Sequence, residues 1–173
     1  MYIKYNNRTR YLSVPKPQRS RRAEAIASIV DKTKIDEDMI RALVHAFYDR
    51  VRADPLIGPI FEARIEDWDA HLARMCAFWS SVALMSGRYH GRPMEKHAPL
   101  PIDAPHFDRW LALFGETAEE ICTPAAATHF KTHAGNVARS LEMGVAGFHG
   151  QMLKTGERFH RGHAQNTHKG VPS

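Results

Sequence analysis

Apolar residues recur along this chain at helical spacing, and none of the longer apolar segments alternates in twos. From about Asp36 to Arg52, the residues Ile40, Leu43, Val44, Phe47, Tyr48 and Val51 make one stripe. Asp36 suits the N-cap, and Glu37 and Asp38 suit the positive end of the helix dipole. Ile35 and Ile40 fit a hydrophobic staple across that cap. Asp54-Pro55 and Gly58-Pro59 then break the helix into a bend. A second helix is expected from near Asp67 to near Gly87. Its stripe is Trp68, His71, Leu72, Met75, Trp79, Val82 and Ala83, with a histidine in the middle of an apolar face. The third starts near Asp103, with Pro105 in its first turn, where a missing N–H costs nothing. It carries Phe107, Trp110, Leu111, Phe114 and Ala118. The fourth opens at Thr123-Pro124, an N-cap and N1 pair. It runs through Phe130, Val137, Leu141, Val145 and Phe148 toward Gly156, a natural terminator. Between the second and third, Arg88 to Ile102 holds Gly91, Pro93, Pro99 and Pro101 and excludes a long helix. Pro93 to His97 has room for about one turn. The fold class expected is all-α.

The 173 residues suit one domain, and 43% hydrophobic content is enough for a real core. Of the two cysteines, Cys76 and Cys122, neither belongs to a CxxC or CxxCH motif. A cysteine-rich zinc site and a covalently attached c-type haem are therefore excluded. Two thiols without a secretory signal suit a reducing compartment, so a cytoplasmic location is expected. No apolar run approaches the ~20 residues of a membrane span. Arg21-Arg22 resembles a twin-arginine signal, but the apolar stretch Ala25 to Val30 ends at Asp31.

The net charge of +5 is unevenly placed. Residues 1–22 hold seven bases and no acid, while residues 154–173 hold four bases and one acid. The body between them is acidic on balance. Residues 1–34 are expected to be a flexible basic extension, 35–155 the folded domain, and 156–173 a flexible tail. A solvated extension is the plainer reading of the first segment. Weak attraction to nucleic acid or anionic membrane is its rival, so nucleic acid is not an expected partner. The histidines between Arg158 and His168 could chelate adventitious metal, but a frayed terminus explains them as well.

Candidate chemistry rests on polar residues in apolar surroundings. The body contains no GxGxxG, no P-loop and no GxSxG elbow. Tyr48, His71 and Trp110 sit on apolar stripes, and His97 sits in a proline-bounded turn. Each alone is more often a core residue whose polar atom finds a neighbour. A zinc hydrolase would need HExxH, which is absent. His129 and His133 stand at i, i+4 without an acid between them, and Glu95 and His97 face different directions on a helix. Cys76 lies among core residues, where a thiol is usually inert.

The order of the motifs says more than any one of them. Phe47-Tyr48-Asp-Arg-Val51, Gly58-Pro-Ile-Phe61, His71-Leu-Ala-Arg-Met-Cys-Ala-Phe-Trp79, Tyr89-His-Gly-Arg-Pro-Met94, His97-Ala-Pro-Leu100 and His106-Phe-Asp-Arg-Trp-Leu-Ala-Leu-Phe114 follow one another. This set closely resembles the truncated haemoglobins, and within them the third group, over roughly residues 35–155. The chain also lacks any Gly-Gly pair, as that group does. The resemblance implies a two-over-two helical sandwich around one non-covalent haem b. It implies that His97 is the proximal ligand of a pentacoordinate iron, and that Tyr48, His71 and Trp110 form a polar distal pocket. Phe61 matches the phenylalanine packed against the haem, and Trp79 a haem-face or core aromatic. The second ring nitrogen of His97 is expected to donate to a carbonyl within its own turn, which would stop the ring rotating.

The resemblance implies O2, NO and CO as ligands. A phenol and an indole aimed into a dry pocket hold a bound ligand and slow its release, which suits O2, NO or peroxide redox chemistry better than bulk transport. A nitric oxide dioxygenase or a peroxidase-like enzyme, fed by a separate electron donor, is the enzymatic expectation. A haem-based gas sensor or interaction module acting through the basic tails is the alternative.

Overall fold

The computed structural model describes residues 21–162, in which every regular element is a helix. These are α1 (Arg21–Thr33), α2 (Glu37–Ala53), α3 (Gly58–Glu62), α4 (Trp68–Leu84), α5 (Pro93–His97), α6 (Ala104–Ile121) and α7 (Pro124–Phe148). The helix starts follow the side chains anticipated for them. The Asp36 carboxylate accepts the Met39 N–H at 2.8 Å, Asp67 accepts that of Ala70 at 2.9 Å, and the Thr123 hydroxyl accepts that of Ala126 at 3.3 Å. Ile35 and Ile40 are both buried across the α2 cap. The whole α2 stripe from Ile40 to Val51 is buried too.

Two features turn the chain after α2. The Asp54 carboxylate is buried and accepts the N–H groups of Leu56 and Ile57 at 3.0 and 3.1 Å, and the Arg109 Nε–H at 2.6 Å. Burial opposes its charge, but these bonds prevail and hold its carboxyl below the usual value. Gly58 then passes so close to α2 that a Cβ there would lie 2.9 Å from the carbonyl oxygens of Val51 and Arg52. Only glycine fits that approach.

Helices α2 and α4 pack together, α6 packs on α7, and α2 meets α6 between the pairs. This is the two-over-two sandwich. Its main core joins Phe47, Trp79, Phe114 and Phe130 with the aliphatic stripe of α2. A smaller core holds Ile102, Phe107, Val145 and Phe159. Among the described residues no helix is long and apolar enough to cross a membrane.

The packed body extends past both boundaries drawn from the sequence. α1 lies within the basic extension, yet it packs on α4 and α7, and the Thr123 hydroxyl donates to the Thr33 carbonyl at 3.1 Å. Its contact face is sparse: Ala23, Ile26 and Ile29 are half-buried among exposed neighbours. At the other end, Phe159 is 1% exposed and its carbonyl accepts the Ala104 N–H at 2.7 Å. Arg158 Nε contacts both oxygens of the buried Glu142 carboxylate at 3.0 Å, and an Arg158 terminal nitrogen donates to Asp108 at 2.7 Å. Helix α7 also stops before Gly156. Gly150 turns left-handed at φ 77°, and the Gln151 N–H reaches back to the Ala146 carbonyl at 2.9 Å, which closes the helix end. The basic run from Lys4 to Arg19 and the histidines at 163 and 168 lie outside the described residues.

Candidate functional site

Helices α2, α3, α4 and α6 converge on one cavity of about 1270 Å³, and α5, α7 and the loops on either side of α4 supply most of the rest of its wall. All six residues singled out from the sequence line it: Tyr48, Phe61, His71, Trp79, His97 and Trp110. The α2 stripe places Tyr48 one residue beyond the buried Phe47, whose ring meets Trp110 edge-on at 5.4 Å. The Tyr48 ring stands edge-on to His71 at 4.9 Å and to Phe61 at 5.9 Å. Trp68, at the start of α4, closes the group 5.7 Å from His71. Trp79 serves the core as well as the cavity, since it is 1% exposed and stacks on Phe114 at 4.6 Å.

The electrostatics of this wall are set by burial. Burial pushes the Tyr48 phenol well above its ordinary pKa, so it stays a protonated O–H donor. Burial first, then the neighbouring Arg74 and His97, lowers His71 to about 4, so its imidazole is neutral at pH 7. The His71 Nε2 atom is fully buried and finds no hydrogen-bond partner among the described residues. A polar atom left in that state carries a desolvation cost unless something in the cavity meets it.

His97 reaches the same cavity from a different element. Pro93 opens α5, as a proline suits a first turn, and Pro99 follows its end. Nδ1 of His97 lies 2.7 Å from the Pro93 carbonyl oxygen, the partner within the turn that the sequence predicted. With Nδ1–H donating there, Nε2 carries the free lone pair. The turn is seated against α7, where a Cβ at Gly144 would strike the Met94 sulfur at 2.1 Å. Leu100, Ile102, Val137 and Leu141 complete an apolar lining beside the imidazole.

The sequence reading passed over the charged rim. Arg64, Arg74, Arg88, Arg92 and Lys96 all line the cavity. Arg88 is braced by Glu37 at 3.1 Å and Arg92 by Glu95 at 2.9 Å. Their signal was the basic character of the segment from Arg88 to Lys96, next to the ligand candidate. Other candidates stay apart from the cavity. His129 and His133 meet edge-on at 4.5 Å on α7, but the His129 Nε2 is taken up by the Ala83 carbonyl at 3.1 Å. Among the described residues no three His, Cys, Asp or Glu side chains cluster as a metal site would require. Burial pushes the Cys76 thiol up, away from the reactive thiolate.

The fold has relatives among known proteins. The family model described as bacterial-like globin matches residues 28–143. The chain is 39% identical over 88 residues to the group 3 truncated hemoglobin ctb of Campylobacter jejuni, a match covering 48% of this chain and 69% of that protein. It is 27% identical over 89 residues to the group 2 truncated hemoglobin YjbI of Bacillus subtilis, covering 50% of this chain and 67% of that one. The crystal structure of the Campylobacter jejuni group III truncated hemoglobin superposes with a TM-score of 0.59 at 30% identity, covering 71% of this chain and 95% of that one.

Proposed function

This chain belongs to the bacterial-like globin family, within it to the third group of truncated haemoglobins, and we propose that it seats one haem b non-covalently, with His97 the residue that would hold its iron. Family membership makes it a haem-binding globin. The residues present fit such a group. A cavity of about 1270 Å³ is ample for a planar macrocycle, set against the ~300–1,000 Å³ of common small-molecule sites. The lining includes many apolar and aromatic residues, and its five basic residues, which outnumber Glu66, Asp67 and Glu95, suit the two carboxylates at the macrocycle's edge. The observation that carries the reading concerns two of the four cavity histidines: His97 has its Nδ1 fixed and its Nε2 free, and His71 has a buried Nε2 without a partner among the described residues.

When bound, haem would supply a redox-active iron able to take up a diatomic gas or a peroxide. The remaining work falls to side chains. The Pro93 carbonyl holds the His97 ring against rotation and strengthens its free nitrogen as a donor. Tyr48 offers an O–H, and Trp110 an indole N–H that can only donate. In a cavity walled by Phe61, with Trp68 packed behind Tyr48, such donors act in a low dielectric and are stronger than in water. Neutral His71, beside the Tyr48 ring, has one nitrogen to donate and one to accept, so it can meet either a ligand or the phenol.

Two donors on a bound ligand favour retention over release. We therefore assign the site to reaction of O2, NO or peroxide rather than to bulk transport, with electrons supplied by a separate donor. The two cysteines are free thiols, which suits a reducing compartment such as the cytoplasm. Absorption spectra of the purified protein, oxidised, reduced and with CO, test the haem. Material that stays colourless and refuses added hemin overturns the reading. Rapid mixing of the reduced, air-equilibrated protein with NO tests the chemistry. Fast oxidation with nitrate release is expected, and an unreactive protein would point to gas sensing instead.

A further inference from the structure

Beyond the ligand pocket, a run of aromatic rings leads from the cavity interior to its rim. Trp110 lies parallel to Phe114, with centroids 5.3 Å apart and planes 9° apart. Phe114 stacks on Trp79 at 4.6 Å and 22°, and Trp79 also lies near-parallel to Trp110 at 6.5 Å. From Trp79 the run turns edge-on to Phe78 at 5.3 Å, and from Phe78 to Tyr89 at 5.2 Å. Trp110, Trp79, Phe78 and Tyr89 all line the cavity. The middle of the run is sealed from water, with Trp79 1% and Phe114 0% exposed.

Tyr89 is different. It is half-buried in the irregular segment after α4 and reaches solvent. Its backbone N–H donates to the Ser81 hydroxyl at 2.8 Å, and its phenol oxygen rests against Gly91, where a Cβ would lie 2.3 Å away. Indole and phenol are the aromatic side chains most readily oxidised by one electron. The run thus places an oxidisable group deep in the wall, a second in the core and a third where an outside molecule can touch it. Tyr48, the other cavity phenol, is 5% exposed and out of reach of an outside donor.

We propose that Tyr89 is the outlet of an electron relay, where a small phenolic reductant is oxidised while hydrogen peroxide is reduced in the cavity. The proposal rests on the haem and peroxide reading above. In each pass one electron moves inward along Tyr89, Phe78, Trp79 and Trp110, and the Tyr89 phenol loses its proton to water. The resulting tyrosyl radical takes a hydrogen atom from the outside phenol, which restores Tyr89 and leaves a phenoxyl radical. Two passes, with two protons taken up from solvent, break the O–O bond of one peroxide and yield two waters.

The test treats the ferric haem-loaded protein with hydrogen peroxide in the presence of a nitroso spin trap and maps adducts by peptide mass spectrometry. The Soret band of the same samples is recorded, so that radical yield is expressed per haem that has reacted. The expected result is an adduct on the peptide holding Tyr89, lost in Tyr89→Phe, with several-fold lower yield in Trp79→Phe. Phenylalanine keeps the ring that packs on Phe78, so Tyr89→Phe is not a folding variant. Oxidation of guaiacol should fall in parallel. A Soret response with adducts only on Tyr2, Tyr5, Tyr11 or Tyr48, or with an undiminished radical in Tyr89→Phe, overturns the relay and leaves the haem reading standing. An inert Soret band overturns the peroxide reading and the relay with it.

Discussion

His71 and His97, two of the four histidines that line the cavity, are mounted in opposite ways. His71 stands on α4, a helix of 17 residues, next to Tyr48 on α2, whose apolar stripe is wholly buried. His97 ends a helix of five residues, none of them buried. The first wall is fixed by the main core, so its geometry is overdetermined by packing. The second is fixed by a few local devices: a proline start, one ring-to-carbonyl bond and a methionine lodged over Gly144. Changes on the α5 side should therefore alter ligation with little effect on folding. Changes on the α2 side should alter stability and ligand chemistry together.

The largest effect is expected from His97→Gly. It removes the imidazole assigned to the iron, so the wild-type haem spectrum should vanish, and added imidazole should restore part of it. Far-UV circular dichroism of the haem-free variant should match the wild type, because α5 contributes no buried residue. A collapse of helicity would mean that the short wall supports the fold after all. Phe47→Ala probes the other wall. Phe47 is fully buried and contacts Tyr48, Trp110 and Phe114. Its loss should cost about 3–5 kcal/mol in chemical denaturation and also disturb ligand off-rates, because both donors lean on it.

Smaller and cleaner changes come from the donors themselves. Tyr48→Phe and Trp110→Phe should each weaken retention of O2 by about 1–2 kcal/mol, or roughly tenfold in off-rate. The two rings share Phe47 as a neighbour, so the double variant need not equal the product of the single ones. Stopped-flow O2 dissociation measures all three. Unchanged off-rates in both single variants would remove the two-donor pocket from the account.

The contrast between the walls also decides what could be read in the sequence. Helices α2, α4, α6 and α7 were legible because each pairs a 3.6-residue apolar period with a recognisable start: Asp36, Asp67, Asp103 or Thr123. Tyr48, His71 and Trp110 stood out as polar residues on those stripes, although their convergence became apparent only through the ordered family motifs. The α5 turn was legible from its prolines alone. α1 was not, because its contact face of Ala23, Ile26 and Ile29 is thin and set among Arg21, Arg22, Asp31 and Lys32. Phe159 was hidden for a different reason. It lies in a segment with no periodicity, and its burial depends on Glu142 and Ala104, far away in sequence. The ring run to Tyr89 joins two helices and a loop, so no local pattern announces it.

The smallest effect expected is a pH dependence that separates the walls once more. In the haem-free protein His71 titrates near 4, lowered first by burial and then by Arg74 and His97, whereas an unfolded histidine titrates near 6.5. Between those values the unfolded chain binds the extra proton and the folded chain does not. Stability is therefore full above about pH 6.5 and declines as the pH falls toward 4. Because water reaches part of the ring, the loss should be modest, about 1 kcal/mol by pH 5. Urea midpoints measured at pH 7 and pH 5 on haem-free wild type and His71→Leu isolate it: the variant should lose the part of the slope that His71 supplies. An identical slope in the variant would mean that His71 is not held neutral by its surroundings. Its buried Nε2 would then need another explanation than a partner arriving in the cavity.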